Sequence, residues 1–346
     1  MKLLIITQKV DRNDPMLGFF HHWLEEFARH CEQMMVICLS QGDGDLPENV
    51  KVFSLGKESG QSRLKYLFRF YKYIWRERKN YDAVFIHMNQ EYVLLGGFFW
   101  KIFGKPIFMW RNHHAGSWLT DVAAIFCHKI FCTSKYSYTA KYPKTVLMPV
   151  GVDIDIFRPD SAVEKIPRSI LFLGRVAPVK KPKVLMSALK LLRERGVDFK
   201  ANFYGDALAQ DYEYHEEVKR RVKDFKLESL VNFYPGVSNE QTPAIYNRHQ
   251  IFVNLSSSGM YDKTIFEAAA CGVLSVNCNL NLRDNWFELT FPEDDEVALG
   301  KKIADILSLP VVEQDRLNRV CRELVISEHS LSLLVERLFK ELKYGE

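Results

Sequence analysis

Ile170-Leu-Phe-Leu-Gly-Arg-Val-Ala-Pro-Val-Lys-Lys181 is a short apolar run that stops at Gly174 and turns through Arg175 and Lys180 into a helical pattern. A strand that feeds a helix through a glycine turn is one βα unit, and parallel sheets need such crossovers. Working outward, the same unit recurs. After Ser169–Leu173, strands are read at Lys200–Tyr204, Val231–Tyr234, Ile251–Leu255 and Leu274–Asn277, with helices over 181–196, 211–226, 239–249 and 263–271. Before it, strands are read at Leu3–Thr7, Met35–Leu39, Val50–Leu55, Ala83–His87, Pro106–Trp110, Lys129–Cys132 and Thr145–Pro149, with helices over 17–31, 61–79, 91–103 and 117–125. The expectation is an α/β protein of two doubly wound, Rossmann-like domains, as a chain of 346 residues also suggests. The polar, proline-bounded stretch 155–167 reads as the linker, which sets the domains at 1–158 and 167–329. A helical segment over about 330–346 is expected to pack back on the first domain. Ligands of such sheets bind beyond the carboxyl ends of the strands, so facing domains would hold a ligand in the cleft between them.

Composition narrows the function. Hydrophobic residues make up 47% and charged residues 26%, an ordinary globular balance. The net charge of +4 divides into +5 over residues 1–160 (21 Lys+Arg, 16 Asp+Glu) and −1 over the remainder (26 and 27). That excess hints at an anionic surface near the first domain and is too mild for a nucleic-acid binder. Apolar runs such as Tyr92–Trp100 are shorter than a bilayer span, and Met1–Gln8 reads as a first buried strand rather than a signal peptide, so a cytoplasmic protein is expected. Seven cysteines without a Cys-x-x-Cys pair read as packed free thiols, not as a metal site.

Two loops carry the chemistry. In the first, the turn amides, Arg175 and Lys180 suit a diphosphate, although a solvated Gly-Arg turn is the plainer reading of this piece alone. The second is Ser256-Ser-Ser-Gly-Met-Tyr-Asp-Lys-Thr-Ile-Phe-Glu-Ala-Ala-Ala-Cys-Gly272, a small polar loop between a buried strand and a helix. Unpaired amides over Lys263, Thr264 and Ile265 would point at an anion, and Glu267, one turn on, could accept hydrogen bonds from ribose hydroxyls. Glu267 can equally be a carboxylate favoured by the helix dipole.

Taken together, Gly151-Val-Asp-Ile-Asp-Ile-Phe-Arg-Pro159, Gly174-Arg with Lys180, Gly205-Asp206, Phe233-Tyr-Pro-Gly236 and Glu267-Ala-x-Ala-Cys-Gly272 form an ordered series. It resembles the retaining glycosyltransferases of family 4, glycosyl transferases group 1, which have the GT-B fold. The resemblance implies that Arg175 and Lys180 bind the donor diphosphate, Glu267 the ribose, and the Gly205–Asp206 and Gly236–Val237 turns wall the nucleotide. It implies that Gly18 lies in the glycine loop after the first strand, and that His113 or His114 contacts the transferred sugar. The donor would be a UDP- or GDP-sugar, with no metal and no further cofactor.

The departures are as informative. Gly259 stands where the family has the first glutamate of Glu-x7-Glu. Asp262 is a candidate substitute at the reaction centre, with helix N-cap as the alternative. Lys181 replaces a glycine, and Asn277–Asp284 replaces a Gly-x-x-Glu loop. Within 61–79, Lys65, Arg69, Lys72, Arg76 and Lys79 fall on one helical stripe among aromatic residues, which fits either an anionic membrane surface or a crossover helix with solvated cations. On the membrane reading the acceptor is lipid-linked and the protein peripheral at the inner face of the plasma membrane. Otherwise it is a sugar hydroxyl, with cell-surface polysaccharide or glycolipid assembly as the expected setting. A non-catalytic sugar-nucleotide binder and a GT-B epimerase or phosphorylase remain alternatives, whereas no Gly-x-Gly-x-x-Gly supports a dehydrogenase.

Overall fold

The structure, a computed structural model, describes residues 1–259 and 261–343. The chain divides into two compact units, residues 1–151 with the helix that begins at Leu331, and residues 152–330. Among the described residues of the first unit, β1 (Lys2–Val10), β2 (Gln33–Gln41), β3 (Val50–Ser54), β4 (Ala83–His87), β5 (Ile107–Trp110), β6 (Lys129–Cys132) and β7 (Thr145–Leu147) form one parallel sheet. Its order is β3-β2-β1-β4-β5-β6-β7, with α1 (Gly18–Ala28), α2 (Arg63–Arg76), α3 (Gln90–Ile102) and α4 (Trp118–Phe126) as crossovers. The two-residue period of β1 sorts the core. Leu4 and Ile6 pack with Phe70 and Ile74 of α2, Trp100 of α3 and Ala123 of α4, while Leu3 and Ile5 pack with Phe20, Trp23 and Phe27 of α1.

The second unit repeats the scheme on five parallel strands, β8 (Ser169–Leu173), β9 (Lys200–Tyr204), β10 (Val231–Tyr234), β11 (Ile251–Asn254) and β12 (Leu274–Asn277). Their order is β10-β9-β8-β11-β12, so the direction of winding reverses between β8 and β11. The helices are α5 (Pro182–Glu194), α6 (Tyr212–Asp224), α7 (Thr242–Asn247), α8 (Lys263–Ala270), α9 (Glu296–Ser308) and α10 (Val311–His329). Residues 152–167 are fastened to this unit. Phe157 is buried beside Tyr246, Asn247 Nδ2 donates to Arg158 O at 3.0 Å, and Ile166 N–H donates to Arg248 O at 2.8 Å.

From Glu296 the described chain runs as three helices, interrupted at Leu309-Pro310 and at Ser330. The last, α11 (Leu331–Lys343), lies in the first unit, where Leu334, Val335 and Leu338 are fully buried with Trp23 and Phe27 in the α1-side core. Residues 344–346 of the expected helix are outside the described residues. All seven cysteines are buried free thiols. No described helix is long and apolar enough to cross a membrane.

Leu338→Ala removes a fully buried side chain from that core and should destabilise the first unit by about 2–5 kcal/mol. Hydrogen exchange should then quicken at the β1 amides and stay unchanged at β8. Equal effects on both strands would show that α11 does not belong energetically to the first unit.

Candidate functional site

Within the second unit, the βα loops leave the carboxyl edge of the sheet side by side and are stitched to one another. Gly174 N–H donates to Tyr204 O at 3.0 Å, Gly205 N–H to Tyr234 O at 3.1 Å, and Val176 N–H to Asp206 O at 3.1 Å. The Asp206 carboxylate in turn accepts from Gly236 N–H at 3.0 Å. A Cβ on Gly205, where φ is +145°, would lie 2.0 Å from the Gly174 carbonyl oxygen, so only glycine lets the two loops touch. Gly174, Gly205, Asp206, Gly236 and the adjoining Val237 thus form one continuous rim.

The reversal between β8 and β11 leaves a crevice at this edge, and the two loops singled out in the sequence flank it. From the β8 side come Arg175 and Lys180. The Arg175 guanidinium is half-buried and makes no hydrogen bond or ion pair among the described residues. Lys180 lies in a 3-10 turn, Pro178–Lys180, that leads into α5. The next residue, Lys181, has φ +50° and ψ +37°, a left-handed conformation, which gives a physical reason for the glycine that the resembling family has there. Lys181 Nζ is held by Glu293 and Asp294, both at 2.7 Å.

From the β11 side comes Asp262, which caps α8 and is the hub of the site. Its Oδ1 accepts from Thr264 N–H at 3.3 Å and Thr264 Oγ1 at 2.8 Å. Its Oδ2 accepts from Asn254 Nδ2 at 2.9 Å, from Ser256 Oγ at 2.7 Å and from the Lys180 ammonium. Burial pushes this carboxyl up, but the Lys180 charge and these hydrogen bonds outweigh it and hold it well below the usual carboxylate range. Lys180 Nζ also reaches Ser256 Oγ at 3.2 Å, so two of its three N–H donors are used.

The amides of α8 differ from the sequence expectation. Thr264 N–H is taken by the Asp262 side chain and Ile265 N–H by the Asp262 carbonyl at 3.2 Å, so neither is an unpaired donor for an anion. The reason is the N-cap aspartate, which fills the place an anion would take. Gly259 is buried in the loop before it, and that loop is tied to the one after β12 by Leu280 N–H on Ser258 Oγ at 2.8 Å and Asn281 Nδ2 on Ser258 O at 2.9 Å.

Lys263, half-buried, is the first residue of α8, and Glu267, one turn on, is buried. Burial lowers the Lys263 pKa to about 8 against the opposing pull of Glu267 and Asp153. Burial likewise raises the Glu267 pKa, opposed by Lys263 and by hydrogen bonds from Asn239 and Tyr246. Those bonds are long, 3.5 Å from Asn239 Nδ2 and 3.4 Å from Tyr246 OH, so Glu267 is loosely held. Sequence reading overlooked Asn254, Ser256, Asn239 and Tyr246. Asn254 alone carried a signal, as the polar end of the otherwise apolar run Ile251-Phe-Val-Asn254.

In the first unit, Gly18 opens α1 with its N–H on Asp14 O at 2.9 Å, below a loop that Asp14 ties to Lys9 at 2.8 Å. His113 and His114 are exposed in the loop after β5, stacked on each other with centroids 4.5 Å apart. Desolvation lowers the His113 pKa, and its Nδ1 accepts from Ala115 N–H at 3.0 Å. His87 is a core residue, stacked on Phe20 at 3.8 Å.

Residues 167–308 match the family described as Glycosyl transferases group 1. The chain is 29% identical over 145 residues to the D-inositol 3-phosphate glycosyltransferase of Pseudarthrobacter chlorophenolicus, covering 39% of this chain and 34% of that one. It is 30% identical over 130 residues to the enzyme of the same name from Mycolicibacterium smegmatis, covering 35% and 29%. The chain therefore aligns with about a third of each relative's length. The whole fold is similar to Anabaena HepE in complex with UDP, with TM-score 0.80, 16% identity, and 99% and 100% of the two chains covered. It is also similar to a sucrose-phosphate synthase from Thermosynechococcus elongatus, with TM-score 0.77, 15% identity and 100% of both chains covered. Two Rossmann-like lobes of this kind define the GT-B fold. The family match lies in the second unit.

Lys180→Met leaves the Asp262 carboxylate buried without its counter-charge and should cost about 3–5 kcal/mol, with part recovered on adding Asp262→Asn. The contribution of Asp262 is fully present above its unfolded pKa, near 3.8, and is lost as the pH falls from there through the lower folded value. Urea midpoints at neutral pH check the pair; a double variant no more stable than the single would remove the coupling.

Proposed function

We propose that this protein transfers a hexose from a nucleoside diphosphate sugar to a hydroxyl acceptor with retention of anomeric configuration. The observation that carries this reading is Arg175, a half-buried guanidinium without a protein partner among the described residues, at the switch point beside Lys180. A guanidinium in that position is matched by an anion that accepts bidentate hydrogen bonds, and a diphosphate supplies one. The remaining N–H of Lys180 can join it. The HepE complexes with UDP and with UDP-glucose favour uridine as the first base to test, ahead of guanosine.

On this reading Arg175 and Lys180 stabilise charge as it builds on the departing diphosphate, an effect of roughly 10²–10³ in rate per donor. Glu267 takes the ribose, and the rim at Gly205, Asp206, Gly236 and Val237 takes the nucleotide. Asp262 acts by holding Lys180 and capping α8, a positioning role rather than one at the reaction centre. The acceptor and the transferred sugar are assigned to the carboxyl-edge loops of the first unit, which carry Gly18, His113 and His114. Among the described residues, no side chain of the donor loops is poised as a nucleophile, which suits a front-face displacement in which the leaving phosphate helps to deprotonate the acceptor. The acceptor is a sugar or a lipid-linked hydroxyl of cell-surface polysaccharide or glycolipid synthesis. A second reading, a non-catalytic sugar-nucleotide binder, is favoured by Gly259 at the place of the family's first glutamate.

Thermal-shift titration with UDP, GDP and ADP in chelator should give stabilisation by one nucleotide, abolished in Arg175→Ala. No shift with any of them on folded protein would sink the donor site, and a shift without slow donor hydrolysis or transfer would leave only the binder. Lys263 supplies a pH test. Its ammonium is lost above about pH 8, so affinity for the nucleoside diphosphate should fall there by up to roughly tenfold per pH unit. The unliganded fold should gain stability over the same range, because the folded state releases a proton that the unfolded lysine keeps. Lys263→Met should flatten both profiles; an unchanged binding profile would take Lys263 out of the phosphate's field.

A further inference from the structure

The outer surface of α2 and α3 is apolar where a crossover helix ordinarily meets water with polar side chains. On α2 the large apolar residues Leu64, Phe68, Tyr71 and Trp75 are exposed, spaced by four, three and four positions, so they form one stripe along the helix. Leu64 is 79% exposed and Phe68 70%. The stripe continues onto α3, where Phe98 is 70% and Ile102 64% exposed. The helices are joined beneath it by Tyr71 OH on Leu95 O at 2.9 Å and by Trp75 packed edge-on against Phe103, centroids 5.9 Å apart. Phe70, Ile74, Tyr92 and Trp100 meanwhile fill the core on the opposite side, so both helices already have their inward face satisfied. A continuous apolar surface over two helices marks a binding face.

Charge identifies the occupant. The α2 sequence, Arg-Leu-Lys-Tyr-Leu-Phe-Arg-Phe-Tyr-Lys-Tyr-Ile-Trp-Arg, holds five basic residues and no acidic one. Two of the five are engaged elsewhere: Arg69 Nη1 donates to Leu55 O at 3.0 Å, and Arg76 donates to Glu77 at 2.6 Å with its guanidinium over the Phe53 ring. Lys65 and Lys72 are exposed along the flank of the stripe and make no ion pair among the described residues. Aliphatic and aromatic side chains flanked by long lysines form the pattern of an interfacial helix, with its apolar stripe among acyl chains and its ammonium groups at anionic headgroups. We propose that the α2–α3 face docks the first unit onto an anionic lipid surface.

The topology adds a consequence. Crossover helices run against their strands, so α2 and α3 begin at the carboxyl edge of the sheet, the edge from which the loops carrying Gly18, His113 and His114 emerge. A bilayer on the outer face lies beside those loops without covering them, which matches a lipid-linked acceptor. The docking face rests on the first unit alone, so it stands or falls separately from the donor site.

The test is co-sedimentation of the full chain with vesicles of phosphatidylcholine alone and with a third of phosphatidylglycerol added. Binding is expected only to the anionic vesicles, and weaker at high salt. Phe68→Glu with Phe98→Glu should abolish it, and Lys65→Gln with Lys72→Gln should weaken it roughly tenfold. Circular dichroism and the nucleotide thermal shift of these variants should match wild type, since both phenylalanines are exposed and neither lies in the donor loops. Failure of the wild type to bind anionic vesicles would overturn the proposal. Undiminished binding by the phenylalanine variants would do the same, as would a concentration-dependent dimer that those variants dissolve.

Discussion

A carboxylate largely withdrawn from water must be neutralised by the protein, and the carboxyl edge of the second unit's sheet is organised around that requirement at Asp262, whose side chain is 11% exposed. Its four short-range hydrogen bonds come from three residues, Asn254 at the end of β11, Ser256 in the loop and Thr264 in α8, while the counter-charge arrives from Lys180 on another loop. The two sides of the switch point are therefore joined by one charge. Because the partners orient each other, Lys180 cannot be read apart from Asp262, nor the start of α8 apart from either.

The sequence pattern located every strand of both sheets, because each is a short run bounded by polar turns, and β4, β5, β11 and β12 are buried on both faces. The family resemblance, rather than the pattern, singled out Gly205 and Gly236, whose loops are hydrogen-bonded side by side with that of Gly174. The pattern was less informative where a residue's meaning depends on a distant partner. Asp262 was open between sugar contact and N-cap, and what decides its geometry is a lysine 82 positions earlier. The amides of Thr264 and Ile265 were expected to be unpaired because the helix dipole was visible and the competing cap was not.

The basic stripe of α2 shows the same limit in another form. Periodicity places Lys65, Arg69, Lys72 and Arg76 along one side of a helix, but it does not say which side the sheet takes. With Phe70 and Ile74 turned inward, Arg69 and Arg76 fall at the margin and find partners there, and the helix ends at Arg76, before Lys79. The outward residues then include large apolar ones, Leu64, Phe68, Tyr71 and Trp75, beside Lys65 and Lys72, and composition alone would have assigned those apolar ones to the core.

The chain leaves the first unit after Gly151 and returns at Leu331, and the ends of the intervening unit are adjacent: Val152 N–H donates to His329 O at 2.9 Å, and Val152 bridges Ser330. The second unit is thus an insertion between the body of the first and its final helix. Trp23 and Gly151 meet Leu334 of that helix in the core. On the ribosome the order of completion is therefore inverted. The half synthesised first waits, with the α1 side of its core uncovered, until the half synthesised second has left the exit tunnel and α11 has followed it. During that interval the nascent chain presents Trp23, Leu24 and Phe27 to whatever factors attend its emergence, so the window in which it needs protection is set by the length of the inserted unit.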